Sequence, residues 1–152
     1  MLCFRDKENK NPQRLIKNFV RIAKKHKVKY FAINSNIKYA RYFNANAVHL
    51  NSKQNKNILG ARKLGLFCII STHNDKEIKQ AKRARVSMLT YSPIFPSPNK
   101  PSPKGISDFK QKLKKYRYTN FLALGGIVSK EQTRQISQSR AKGFASIRYF
   151  VD

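Results

Sequence analysis

Short apolar runs alternate along the whole chain with longer segments in which apolar residues recur every three or four positions. The short runs, at 2–4, 29–33, 47–50, 67–70, 88–91, 121–124 and 144–147, read as strands. Between them Leu15, Ile16, Phe19, Val20 and Ala23 share one face of a helix that Asn11 caps, Pro12 opens and Lys25 ends. Further helices are expected at 37–43, 53–64, 75–84, 107–116 and 129–139. The last opens with Ser129-Lys130-Glu131-Gln132, a capping box in which Gln132 reaches back to the Ser129 backbone. Strands alternating with helices in this way predict a parallel sheet joined by crossover helices.

The segment 91–105 breaks the rhythm, because five of the six prolines fall in it and exclude both a regular ladder and a helix interior. It reads as a long βα loop above a ligand site, with a plain surface linker as the alternative. Polar or glycine residues close almost every strand: Arg5 and Lys7, Asn34 and Ser35, His49, Ser71-Thr72-His73, Ser92, Gly125-Gly126 and Arg148. Parallel strands would gather these groups at their carboxyl-terminal face, where (β/α) barrels hold ligands. Gly125-Gly126, placed before a capped helix, can offer backbone N–H groups to an anion or simply make a turn. Arg5, Lys7, Lys100 and Arg148 can contact phosphate oxygens, and Lys104 is peripheral. His49 either enters a pocket or is satisfied locally, and His73 either positions a ligand or steadies its loop.

Charge sharpens this picture. Thirty-three Lys and Arg against seven Asp and Glu give a formal charge of +26, a field that attracts phosphorylated ligands, nucleic acid or anionic membrane. The alternative is that most of these cations are solvated helix faces. A length of 152 residues with 40% hydrophobic content suits one domain. Cys3 and Cys68 lie in separate apolar runs and read as buried free thiols of a reducing cytoplasm. The apolar run 66–70 is too short to cross a bilayer and 1–4 cannot form a signal-peptide core, so no membrane or export role is expected. Three histidines without a cysteine or carboxylate cluster make no zinc site, and neither a glycosidase-type carboxylate pair nor a nucleophile elbow accompanies Ser71. Anion recognition is the stronger reading.

Ala47-Val48-His49-Leu50, Ala61-Arg62-Lys63-Leu64-Gly65, Ser71-Thr72-His73, Ser92-Pro93-Ile94-Phe95-Pro96-Ser97-Pro98-Asn99-Lys100 and Ala123-Leu124-Gly125-Gly126-Ile127, in this order, resemble the thiamine phosphate synthase and thiazole tautomerase family. The resemblance runs from Arg5-Asp6-Lys7 to Phe144-Ala145-Ser146-Ile147 and implies an α/β TIM-type barrel, here incomplete with about seven parallel strands. It implies a transferase that joins a pyrimidine-methyl diphosphate to a thiazole phosphate, losing diphosphate first to form a stabilised pyrimidine-methyl cation. By the same resemblance Arg5, Lys7 and Lys100 are catalytic cations at the diphosphate, Asn34 and His49 hold the pyrimidine, and Ser71 contacts phosphate. Ser97 and Asn99 share the diphosphate loop, and Gly125-Gly126 lie in the thiazole-phosphate region.

The family's Mg²⁺ is likewise implied, yet its carboxylate positions carry Ser35 and Gln54, poor ligands for a hard dication. Cys3 stands in place of a pyrimidine-site glutamine, Asn51-Ser52 in place of Gly-Gln, and Arg148 in place of a small residue beside the phosphate cup. Pro93 occupies the position of the tautomerase histidine and removes that proton carrier, which favours the synthase branch. The match opens at the family's second strand, so unpaired sheet edges are expected, with a homodimer as one way to cover them. Two other readings stay open: a non-catalytic binder of phosphorylated small molecules, and a basic protein that holds nucleic acid without specificity.

Overall fold

The computed structural model describes residues 1–6, 8–98 and 100–151, so two expected contacts, Lys7 and Asn99, lie outside the described residues. Seven strands, β1 (Leu2–Phe4), β2 (Phe31–Asn34), β3 (Ala47–Leu50), β4 (Phe67–Thr72), β5 (Met88–Tyr91), β6 (Phe121–Leu124) and β7 (Gly143–Ala145), form one sheet in sequence order. Every neighbouring pair is parallel. The crossovers are α1 (Gln13–Lys25), α2 (Ile37–Tyr42), α3 (Asn57–Lys63), α4 (Asp75–Arg83), α5 (Gly105–Lys115) and α6 (Lys130–Ser137), and a short α7 (Arg148–Val151) follows β7. The result is a curled, open α/β barrel, as the alternation of patterns predicts.

Side chains alternate across each strand, and one set meets the helices. Phe31 and Ile33, Val48 and Leu50, Cys68 and Ile70, Leu89 and Tyr91, and Phe121 and Ala123 pack there with Ile16, Val20 and Ala23 of α1, Ile58, Ile78 and Phe109. The other set, including Asn34, His49 and Ser71, faces the inside of the curl. Phe19 of α1 meets Phe4 and Phe31 with ring centroids 5.5 and 6.0 Å apart, so the edge strand β1 is held by aromatic packing as well as by its ladder.

Several boundaries differ from the sequence reading. The strand expected at 29–33 runs Phe31–Asn34, which carries Asn34 into the ladder. The helix expected at 53–64 divides into a 3-10 turn, Ser52–Gln54, and α3, because Asn51 and Gln54 make a capping box of their own. Pro12 stands at the N-cap of α1 and its carbonyl accepts the first helical bond, from Ile16 N at 2.9 Å, while the Asn11 N–H is turned back to the Asn9 side chain. β7 ends at Ala145, so Arg148 is not a strand end; it opens α7 and is exposed. Cys3 is exposed because β1 has no neighbour on its outer side, whereas Cys68 is buried and burial pushes its thiol up to about 11. No helix among the described residues is long and apolar enough to cross a membrane.

Ion pairs tie α4 to α5. Asp75 accepts from Lys112 at 2.8 Å and from Lys115, and Asp108, 3.6 Å from Lys112, accepts the Tyr91 hydroxyl at 2.7 Å. The hydrogen bonds from Lys112 and Lys115 lower the pKa of the Asp75 carboxyl to about 2. A carboxylate with a depressed pKa contributes stability above its ordinary value of 3.8 that is lost as pH falls towards 2. Because the pairs are largely solvent-screened, Asp75→Asn should lower the melting temperature at pH 7 by only about 2 °C. The gap between variant and parent should close in melts recorded near pH 2.

Candidate functional site

The ends of β2, β3 and β4 form one hydrogen-bonded rim. The His49 carbonyl accepts from the Ser35 backbone N–H at 2.8 Å and from Asn34 Nδ2 at 3.1 Å. Ser35 Oγ donates to Asn34 Oδ1 at 3.1 Å, and His49 Nε2 lies 3.1 Å from Ser71 Oγ. Ser35 reaches this position with φ of 60°, a left-handed conformation that costs a non-glycine residue about 1 kcal/mol. That turn aims its carbonyl at Gln54 Nε2, 2.9 Å away. Thr90, in register with Ser71, buries a hydroxyl that finds no protein partner among the described residues.

Burial first and the Arg5 cation second lower the pKa of His49 to about 4. His49 is therefore a neutral imidazole at pH 7, able to give or take one hydrogen bond on each nitrogen while Arg5 carries the positive charge. Beside Asn34 and Ser35 a cavity of about 280 Å³ opens between the β1–α1 and β2–α2 loops, lined by Asp6, Asn9, Lys10 and Tyr39 and by the core residues Ile16 and Ile33.

The proline-rich loop is stapled over the β6 end. Ile94 N donates to the Leu124 carbonyl and Phe95 N to that of Gly125, both at 3.0 Å, while Lys104 N and Gly105 N return to Pro93 and Ile94 at 2.9 and 3.1 Å. Gly125 and Gly126 have φ of 94° and 70°. A Cβ on Gly125 would stand 2.9 Å from Pro93, and one on Gly126 would overlap the carbonyl oxygens of Phe95 and Pro96. Both glycines are thus required for two loops to touch. At the next strand end His73 Nδ1 lies 3.0 Å from the Ser92 carbonyl and 3.2 Å from the Ser92 hydroxyl, which ties the ends of β4 and β5 together. The His73 backbone N–H donates to Glu77 at 2.7 Å.

Asn34, Ser35, His49, Ser71 and Gln54 therefore come together, with Arg5 near enough to act on His49. Gly125, Gly126, His73 and Ser92 form the adjoining arc. Ser97 is half-buried and Lys100 exposed in the loop, and Arg148, also exposed, opens α7. Thr90, Lys10 and Asn9 were not foreseen, since only strand register and loop closure bring them here. The Asn51-to-Gln54 spacing, by contrast, is a legible cap signal that would have drawn Gln54 towards Ser35.

These residues do not fit Mg²⁺. Ser35 and Gln54 are adjacent, but both are neutral, and the Gln54 amide points its nitrogen at the Ser35 carbonyl. No group of three or more His, Cys, Asp or Glu that could hold a metal occurs among the described residues.

Two outcomes follow. Gly126→Ala should destabilise the fold by more than about 2 kcal/mol in urea unfolding, because positive φ and a backbone overlap act together. The depressed pKa of His49 means that the unfolded chain binds a proton more readily, so stability present above pH 6.5 should decline as pH falls towards 4. In His49→Gln that decline should flatten, as read from urea midpoints across the same window.

A family model described as thiamine monophosphate synthase matches residues 1–150. The thiamine-phosphate synthase of Proteus mirabilis is 29% identical over 151 residues, covering 96% of this chain and 69% of that protein. Its counterpart from Enterobacter sp. is 28% identical over 131 residues, covering 83% of this chain and 62% of its own. Among solved structures, the thiamine phosphate pyrophosphorylase from Pyrococcus furiosus superposes with a TM-score of 0.76 at 17% identity, over 95% of this chain and 70% of that one. FabK from Thermotoga maritima gives 0.77 at 11% identity over 97% and 50%, so the fold is shared more widely than the sequence motifs. With nearly the whole chain matched and the rim residues gathered at the strand ends, the chain belongs to the thiamine monophosphate synthase family.

Proposed function

We propose that the chain acts as a cytoplasmic thiamine phosphate synthase, joining a pyrimidine-methyl diphosphate to a thiazole phosphate and releasing diphosphate. One observation carries the reading: Asn34, His49 and Ser71, from three different strands, converge in a hydrogen-bonded rim beside the stapled loop. Departure of diphosphate concentrates negative charge, and cations placed there stabilise the transition state more than the ground state. In this reading Arg5, Lys7 and Lys100 supply that charge, with Ser97 and Asn99 of the same loop as hydrogen-bonding partners. Neutral His49 and Asn34 orient the heteroaromatic ring, and Ser71, held by His49, faces a phosphate oxygen. His73 steadies the neighbouring strand end. Gly125-Gly126 and the capped start of α6 receive the thiazole phosphate, with Arg148 as an outer cation.

No step is assigned to Mg²⁺, because the Ser35 and Gln54 donor set does not fit it. That same neutral pair favours a second reading, a phosphate-ligand binder without turnover. The open β1 and β7 edges, with Leu2, Ile147 and Phe150 exposed, support association of two copies as part of the proposal. The test is product formation by purified protein given both substrates, with and without Mg²⁺, against Lys100→Ala. The synthase reading expects thiamine phosphate at a rate about tenfold or more above the variant. Folded protein that binds thiazole phosphate yet forms no product would establish the second reading instead.

A further inference from the structure

The parallel sheet separates the two ends of the molecule. β→α loops lie at one end with the candidate site, and all six α→β turns lie at the other. Cations occur at both ends, but the acids that could offset them divide along the same line. Asp6, Glu8, Asp75, Glu77, Asp108 and Glu131 all sit in a β→α loop or a helix's first turn, and the seventh acid, Asp152, is outside the described residues. At the opposite end each crossover places an exposed cation in or just before its α→β turn: Lys29, Arg41, Arg62, Arg85, Arg117 and Arg140. None of these six pairs with a carboxylate among the described residues. Preference of cations for helix C-termini accounts for those in last turns, such as Arg41 and Arg62, but not for Lys29, Arg85, Arg117 and Arg140, which lie beyond their helices.

Exposed aromatic rings accompany these cations. Tyr30, Tyr42 and Tyr118 are 52%, 78% and 92% exposed, and each directly follows a Lys or Arg in sequence. Lys29 and Arg117 already lie over the rings of Tyr30 and Tyr118 at 5.4 and 5.9 Å. A cavity of about 690 Å³ opens on the same face, lined by Met1, Tyr30, Arg62, Phe67 and Met88, and Phe67 is 42% exposed. Unpaired cations track a phosphate backbone, exposed rings stack on bases irrespective of sequence, and an apolar recess with one guanidinium suits a splayed base. A lipid surface would be met by apolar side chains flanked by cations; here the exposed groups interleaved with the cations are tyrosines, which suit base stacking.

We propose that this amino-terminal face of the barrel binds single-stranded nucleic acid without sequence specificity, independently of the phosphate site at the other end. The interaction is electrostatic in reach and aromatic in its preference for unpaired bases.

The test is fluorescence anisotropy of the full chain with a short labelled oligouridylate, a matched RNA duplex and, by co-sedimentation, phosphatidylserine-containing vesicles. The oligouridylate should bind more tightly than the duplex and weaken steeply with salt. Lys29→Glu/Arg62→Glu/Arg117→Glu should lower affinity about thirtyfold or more, and Tyr30→Leu/Tyr118→Leu about tenfold at unchanged charge. All these positions are exposed in turns or at a helix end, and circular-dichroism melting of each variant verifies its fold. Thiazole phosphate should not compete, which separates this face from the candidate active site whatever that site's activity. Unchanged affinity in either variant, efficient competition by thiazole phosphate, or tighter attachment to vesicles than to oligouridylate would overturn the proposal.

Discussion

The main-chain carbonyl of His49 is the fixed point from which the rim is built. It accepts from the backbone of Ser35 and from the side chain of Asn34, so it locks the end of β2 to β3 where a ligand would meet both. With the backbone held, the imidazole can reach across to Ser71 on β4, and the left-handed turn at Ser35 hands the next carbonyl to Gln54. Each link is neutral. Burial beside Arg5 keeps His49 uncharged, so the fixed positive charge of the rim resides on side chains such as Arg5 at its margin. A site organised this way orients a polar ligand by hydrogen bonds and leaves charge neutralisation to the cations around it.

Much of this arrangement was legible in the sequence because its signals are local. The short apolar runs at 47–50, 88–91 and 121–124 coincide with β3, β5 and β6, and Ser129 and Gln132 form the expected capping box. What the sequence could not disclose depends on which loops touch. Gly125-Gly126 read as an anion cradle or a turn, whereas the overlap that a Cβ would make with Phe95 and Pro96 gives the pair a packing role before any ligand arrives. Arg148 read as a strand end because Phe144–Ile147 alternates acceptably, but Ser146 accepts the Tyr149 N–H while donating to Ile127, and that turns the chain into α7. Cys3 read as buried because its run is apolar, while its place on an edge strand exposes it.

The parallel topology also explains how one sheet with its helices can present two unlike faces. Helix starts favour acids and helix ends favour bases, so a chain with few acids retains them near the ligand face and leaves the opposite turns cationic. There the excess of Lys and Arg is spread over every crossover and joined by exposed tyrosines. The face bearing the family's motifs is instead built from hydrogen-bonded strand ends and close-packed loops. Net charge alone would not distinguish these two surfaces; their separation follows from strand direction.

The three histidines offer the most direct measurement of the central claim, that phosphorylated ligands engage the carboxyl-terminal rim through a neutral network. His49 and His73 belong to that rim, whereas His26 caps the end of α1 at the opposite face. Nuclear magnetic resonance of histidine-labelled protein, titrated with the pyrimidine-methyl diphosphate and the thiazole phosphate in the absence of Mg²⁺, should show saturable shifts of the His49 and His73 ring signals and none of His26. Shifts confined to His26, or equal weak drift of all three, would contradict the account and reduce the interaction to attraction between an anion and a basic surface.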